Sequence, residues 1–308
     1  MTQKVTQSML FPEHRNKVIL AWIITIIVSF LPDILFTEIT GSAPSWLELV
    51  KTGILAIAVG MTFIQPKFHL LRNYFILLMA IVLLERLFYS TISGSPTWQG
   101  WLNQINDSFI RTLLSTQALR VGIALCMIAI LLVLGYKRRE FFLVRGRLDA
   151  PVEPVRWLGV DRPISWTRFG TILSLAISLG LLLFLLTAGT LSLSSLGSLF
   201  PYLPWVVLFS ACNAFGEEMT YRASLLTPLD PAVGKQHSLL LTATLFGVWH
   251  FYGVPYGVVG VLMAGLLGWL LGKSMLETRG FFWAWLIHFI QDILIFSFMA
   301  VGSIVPGG

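Results

Sequence analysis

The sequence predicts an all-α fold, a polytopic integral membrane helical bundle with about eight or nine transmembrane helices. Three observations carry that prediction. Of the 308 residues, 56% are hydrophobic and only 12% charged, and the mean hydropathy is +0.79; a soluble chain would be roughly 25% charged. Apolar runs of about 17–25 residues recur, the length that crosses a bilayer. Basic residues gather in alternate loops. No room is left for a separate large soluble domain. The 21 basic against 15 acidic residues, net +6, read as loop charge of a membrane protein rather than as a nucleic-acid surface. Cys126 and Cys212 both fall in apolar runs and make no disulfide framework.

Taken in order, residues 1–17 are polar, with Lys4, His14, Arg15 and Lys17 ahead of the first span. That span is too long for a signal-peptide core and reads as a retained anchor. Spans are expected at about 18–37, 47–64, 74–93, 117–136, 171–190, 199–224, 238–253, 257–275 and 281–302. The turn Gly253-Val254-Pro255-Tyr256-Gly257 between the seventh and eighth is very short, which leaves the count at eight or nine. Lys67 and Arg72, the eight basic residues of 137–170, then Lys235, Lys273 and Arg279 lie on one side. The loops 38–46, 94–116, 191–198 and 253–257 are nearly free of Lys and Arg. The N-terminus is therefore expected in the cytoplasm.

Two loops have further character. Residues 94–116 carry Trp98, Trp101, Ile105, Phe109 and Leu113 at near-helical spacing, as an interfacial helix on the outer surface would. Residues 137–170, with Pro151, Pro154 and Pro163, form the longest cytoplasmic connection, a basic loop that touches anionic lipid. In the eighth span, Gly260, Ala264, Gly268 and Gly272 make a small-residue ridge for close helix packing.

Ionisable residues within spans are costly and mark sites or pairs. Gly216-Glu217-Glu218-Met219-Thr220-Tyr221-Arg222 places two carboxylates and an arginine in an apolar helix. Glu218 and Arg222 are four apart and can pair on one face, whereas Glu217 points about 100° away and lacks that partner. Two more apolar segments carry Phe246-x-x-x-His250 and His288-x-x-x-Asp292. Glu85 and Arg86 in the third span suit structural pairing, and Asp33 after Pro32 suits a polar cap.

Glu-Glu-x-x-x-Arg, then Phe-x-x-x-His, then His-x-x-x-Asn/Asp, in that order over about residues 200–300, resembles the CPBP family. It comprises type II CAAX prenyl endopeptidases and the Abi-type proteins of bacteriocin processing and self-immunity. The resemblance divides the chain into N-terminal membrane helices with the interfacial segment and basic loop, 1–170, and a catalytic membrane core, 171–308. It implies an intramembrane CAAX-type peptidase, a hydrolase cleaving a membrane-associated or lipidated protein or peptide. Glu217 would be the base, with His250 holding the water, and His288 and Asp292 would stabilise the oxyanion. Glu218, Arg222, Tyr221 and Phe246 would support them. Where the family often has Asn this chain has Asp292, an acceptor when ionised. Asp292 is then either protonated or orients His288. Tyr221 stands where many members have Phe and adds a hydroxyl able to reach a carboxylate.

Glu217, His250 and His288 also suit a zinc ion, with an open fourth position. If Glu217 bound the metal, however, another base would be needed. Metal-free water activation by a glutamate protease is the favoured expectation, and a zinc metalloprotease the alternative. The expected partners are membrane lipid and a membrane-associated substrate, with no nucleic acid. Two readings of other classes compete: a proton- or ion-coupled transporter using the same groups as a relay, and a non-catalytic membrane scaffold or immunity protein.

Overall fold

The computed structural model of the chain describes residues 2–188 and 197–302. It is built of helices; the isolated bridges Pro151–Ser165 and Val155–Val160 are the β pairing recorded among the described residues. Seven helical stretches there are long and apolar enough to cross a membrane: Glu13–Thr40, Leu47–Ile64, Pro66–Ile92, Ser108–Val133, Trp166–Thr187, Val258–Thr278 and Phe282–Ala300. The chain is an integral, multi-pass membrane protein.

Of the other two expected spans, 199–224 falls on a helix that begins at Leu203 and runs without a break through a π-helical turn, Glu218–Ala223, into Ser224–Val233. The span expected at 238–253 is the helix Lys235–Trp249, of 15 residues, about 22 Å long and short of a hydrocarbon core of roughly 30 Å. It stops where His250 leaves the helix. Part of the expected loop 191–198 lies outside the described residues.

The chain divides into two compact units. The first holds residues 1–84 and 224–269. Its leading helix bends at Ser29 and Phe30, just before Pro32, and resumes as Leu31–Thr40. Polar groups close across its helices. Thr25 and Tyr74 share a hydrogen bond of 2.6 Å, Trp22 Nε1 donates to His237 Nδ1 at 3.3 Å, and Lys51 pairs with Asp33. Asp33 is thus an ion-pair partner rather than only a cap. The small-residue ridge is used at Gly260, where a Cβ would meet the His250 carbonyl at 2.9 Å. The close helix crossing, however, falls to Gly265 against Gly247, off that ridge: a Cβ on Gly247 would stand 3.1 Å from Gly265 Cα.

The second unit holds residues 85–223 and 270–308. Its apolar core joins Leu113, Val206, Phe209 and Phe296. The loop 94–116 is not one interfacial helix. It forms a short helix, Pro96–Leu102, and then the first turns of Ser108–Val133, so Phe109 and Leu113 belong to a span. Asp107 decides that boundary: its side chain accepts from Ile110 N at 2.9 Å and from the Tyr202 hydroxyl at 2.7 Å. An N-cap aspartate relieves the orphan amides of a first turn. Those bonds, the Ile110 amide foremost, hold its carboxyl below the ordinary carboxylate range.

The basic segment 137–165 is non-helical apart from one tight turn, yet Phe141, Phe142, Val152 and Val155 are buried. It is bonded to the turn before the last helix: Arg147 N donates to Thr278 O and Phe281 N to Val144 O, both at 2.8 Å. Trp166 Nε1 reaches Glu277 Oε2 at 2.8 Å and Trp283 Nε1 reaches Leu148 O at 3.0 Å. Gly146, at φ +73°, crosses Gly280 so closely that a Cβ would stand 2.6 Å from Gly280 Cα. Only glycine fits both the conformation and the approach.

Candidate active site

The helix Leu203–Glu217 with its π-turn carries the carboxylates, and Phe282–Ala300 carries His288 and Asp292; both lie in the second unit. The i,i+4 pair forms as expected, with Arg222 Nη1 donating to Glu218 Oε1 and both side chains fully buried. His288 Nδ1 lies 2.8 Å from the same oxygen. Because Glu218 Oε1 already accepts from a guanidinium, it is an acceptor, and the assigned tautomer carries hydrogen on Nδ1. The other ring nitrogen, Nε2, stands 3.6 Å from Glu217 Oε2 and 3.5 Å from Asp292 Oδ2. One imidazole is therefore surrounded by three carboxylates, all less than a tenth exposed.

Glu217 does not lack a partner. Arg120 Nη1, from the span Ser108–Val133, donates to Glu217 Oε1 at 2.5 Å and also to Asn213 Oδ1. Asn213 Nδ2 in turn donates to Asp292 Oδ2 at 2.9 Å. A continuous path thus runs from Arg120 through Asn213 and Asp292 to His288 and Glu218. The Tyr221 hydroxyl reaches a carboxylate, donating to Glu85 Oε1 at 2.7 Å. Arg120 and Asn213 are absent from the motif reading. Both had a signal: Asn213 stands four residues before Glu217 on the same helix face, and Arg120 is a charge within an apolar span.

His250 and Phe246 belong to the first unit. There the Phe246 ring lies 4.3 Å from the imidazole, centroid to centroid, and His250 Nδ1 is 2.8 Å from Phe246 O. That bond turns Nε2 into the acceptor of the ring. Among the described residues, no three His, Cys, Asp or Glu side chains are grouped so as to hold a metal ion.

Hydrogen-bonded carboxylates around an imidazole, beside a guanidinium, can take a proton from water and return one to a leaving group. Residues 198–294 match the model of the family described as type II CAAX prenyl endopeptidase Rce1-like. Comparisons with curated proteins and with solved structures return no match. The matched segment contains all three motifs, so residues 198–294 of this multi-pass membrane protein are similar to the CAAX-type intramembrane proteases of the CPBP family.

Proposed function

We propose that this protein hydrolyses a peptide bond of a membrane-associated or lipidated protein or peptide, with Glu217 as general base. The observation that carries the reading is the placement of Glu217 Oε1 on Arg120 and Oε2 toward the His288 imidazole. A carboxylate so held keeps a fixed geometry for removing a proton from water. His288, anchored through Nδ1 on Glu218, turns Nε2 toward Glu217, and Asp292, accepting from Asn213, orients the ring. That favours the orienting role of Asp292 over a protonated donor. Glu218 and Arg222 form the buried floor on which His288 rests. His250 enters this reading through the order of the motifs alone. The water is activated without a metal, and the alternation of basic loops supports a cytoplasmic N-terminus.

The test is cleavage of a membrane-anchored peptide library by the purified full chain in detergent, beside Glu217→Gln, with and without a chelator. Cleavage retained under chelation and lost in Glu217→Gln is expected, by about 10²–10⁴-fold for removal of a general base. Loss on chelation with rescue by zinc would replace the metal-free mechanism with a zinc site. Equal cleavage by wild type and Glu217→Gln would remove Glu217 from the chemistry. A scaffold would tolerate that substitution and cleave nothing.

A further inference from the structure

Hydrolysis needs a donor for the oxyanion as well as a base, and the chain's Asp292 is poorly suited to donate. It accepts from Asn213 and lies beside an imidazole, as an ionised carboxylate does. We propose that Arg120 is the oxyanion donor of this site, a catalytic residue from outside the three motifs. The inference rests on the peptide hydrolysis proposed above.

Position, access and chemistry all point to Arg120. Its Nη1 is 2.5 Å from Glu217 Oε1, so a carbonyl attacked by a water held on Glu217 develops its charge beside the same guanidinium. The Arg120 side chain is 29% exposed against 7% for Glu217. The neighbouring cation, Arg222, is fully buried and engaged with Glu218. A guanidinium stays protonated and offers five N–H donors in a rigid fork; Nη1 accounts for both contacts described above, and the Tyr89 hydroxyl bonds the same guanidinium. Gly216 brings the two helices together at this level: a Cβ there would stand 3.2 Å from Arg120 Cβ.

The step balances. The water oxygen bonds to the carbonyl carbon while its proton passes to Glu217, and the carbonyl π pair becomes the oxyanion facing Arg120. Collapse re-forms C=O and breaks C–N, and Glu217 returns the proton to the departing amine. Negative charge leaves the carboxylate as it appears on the oxyanion, so one fixed cation serves both states without reorganisation.

The experiment compares wild type, Glu217→Gln, Arg120→Gln, Arg120→Lys, Asp292→Asn and the Arg120→Gln/Asp292→Asn double variant, as purified full chains cleaving the membrane-anchored peptide library. Kinetics are taken on the best-cleaved peptide, per folded molecule. Arg120→Gln is expected to lose about 10²–10³-fold in kcat with KM little changed, the cost of one oxyanion donor. Arg120→Lys should recover part of the loss, since it keeps charge without the fork. In the double variant, the carboxamide at 292 can donate, so the loss should be smaller than in Arg120→Gln alone. A kcat within a few-fold of wild type in Arg120→Gln, with Glu217→Gln dead, would overturn the role of Arg120 and leave the protease reading standing. So would a loss confined to KM, or one that Asp292→Asn does not relieve. No cleavage by wild type would bring down both. If Arg120→Gln fails to fold, Arg120→Lys decides: a drop of about tenfold or more in kcat, relieved by Asp292→Asn, supports the proposal, and wild-type kcat sinks it.

Discussion

In the first unit, polar side chains pair one to one across helices: Thr25 with Tyr74, Trp22 with His237, Lys51 with Asp33. In the second, Glu217, Glu218 and Asp292 converge on one imidazole, and Arg120 and Arg222 approach from either end. Both units meet the cost of polar groups in an apolar bundle by hydrogen bonding. A pair that matches one donor to one acceptor fixes two helices together. Three carboxylates sharing a histidine leave a proton with several places to go. Convergence, rather than burial, separates a site from a staple.

The two histidines give the widest test of that difference. His288→Ala should lower kcat by about 10²–10⁴-fold, the range for a positioned proton-transfer group, while His237→Ala should leave peptide cleavage per folded molecule near wild type. Equal effects would erase the distinction. The ion pairs Arg222–Glu218 and Lys51–Asp33 come next. Glu218→Gln strands Arg222, and Asp33→Asn strands Lys51, so each should cost about 3–5 kcal/mol in a denaturant titration. Only Glu218→Gln should also slow the folded fraction, because His288 loses the oxygen it rests on. A folded Glu218→Gln protein with full activity would make that pair another staple.

The smallest effect belongs to a residue at the edge of the second unit. Asp107→Ala should cost about 1 kcal/mol, the loss of one N-cap. Because its carboxyl is held low in the folded chain, its contribution is complete above the unfolded value and fades as pH falls through the folded one. Thermal unfolding of Asp107→Asn should accordingly show a flatter acid limb than wild type. An unchanged limb would assign that pH dependence elsewhere.

What could be read from the sequence divides along local and distant relations. The pairing of Glu218 with Arg222 was legible because four residues on a helix share a face. The spans were legible because hydropathy is a sum over neighbours. The Tyr221 hydroxyl could be seen to want a carboxylate, but nothing local names Glu85, 136 residues away. Arg120 is 97 residues from Glu217, and only packing of Ser108–Val133 against Leu203–Glu217 reveals which charge it meets. The π-turn at Glu218–Ala223 has no signature in composition. It widens the helix where the charged motif begins without ending it, since Ser224–Val233 follows directly. Lys51 and Asp33 show the opposite limit, a pair split between two helices and therefore invisible to spacing rules.

The bonds from the basic segment to the turn at 278–281 set a phase. Phe281 N on Val144 O and Arg147 N on Thr278 O determine which residue begins the final helix. Each residue gained or lost at that start would rotate everything after it by about 100° and shift it by about 1.5 Å. His288 and Asp292 lie two and three turns along, and inherit that angle in full. A stretch with no reactive side chain of its own thus works as the timing mark of the helix, deciding the azimuth at which its imidazole faces the carboxylates.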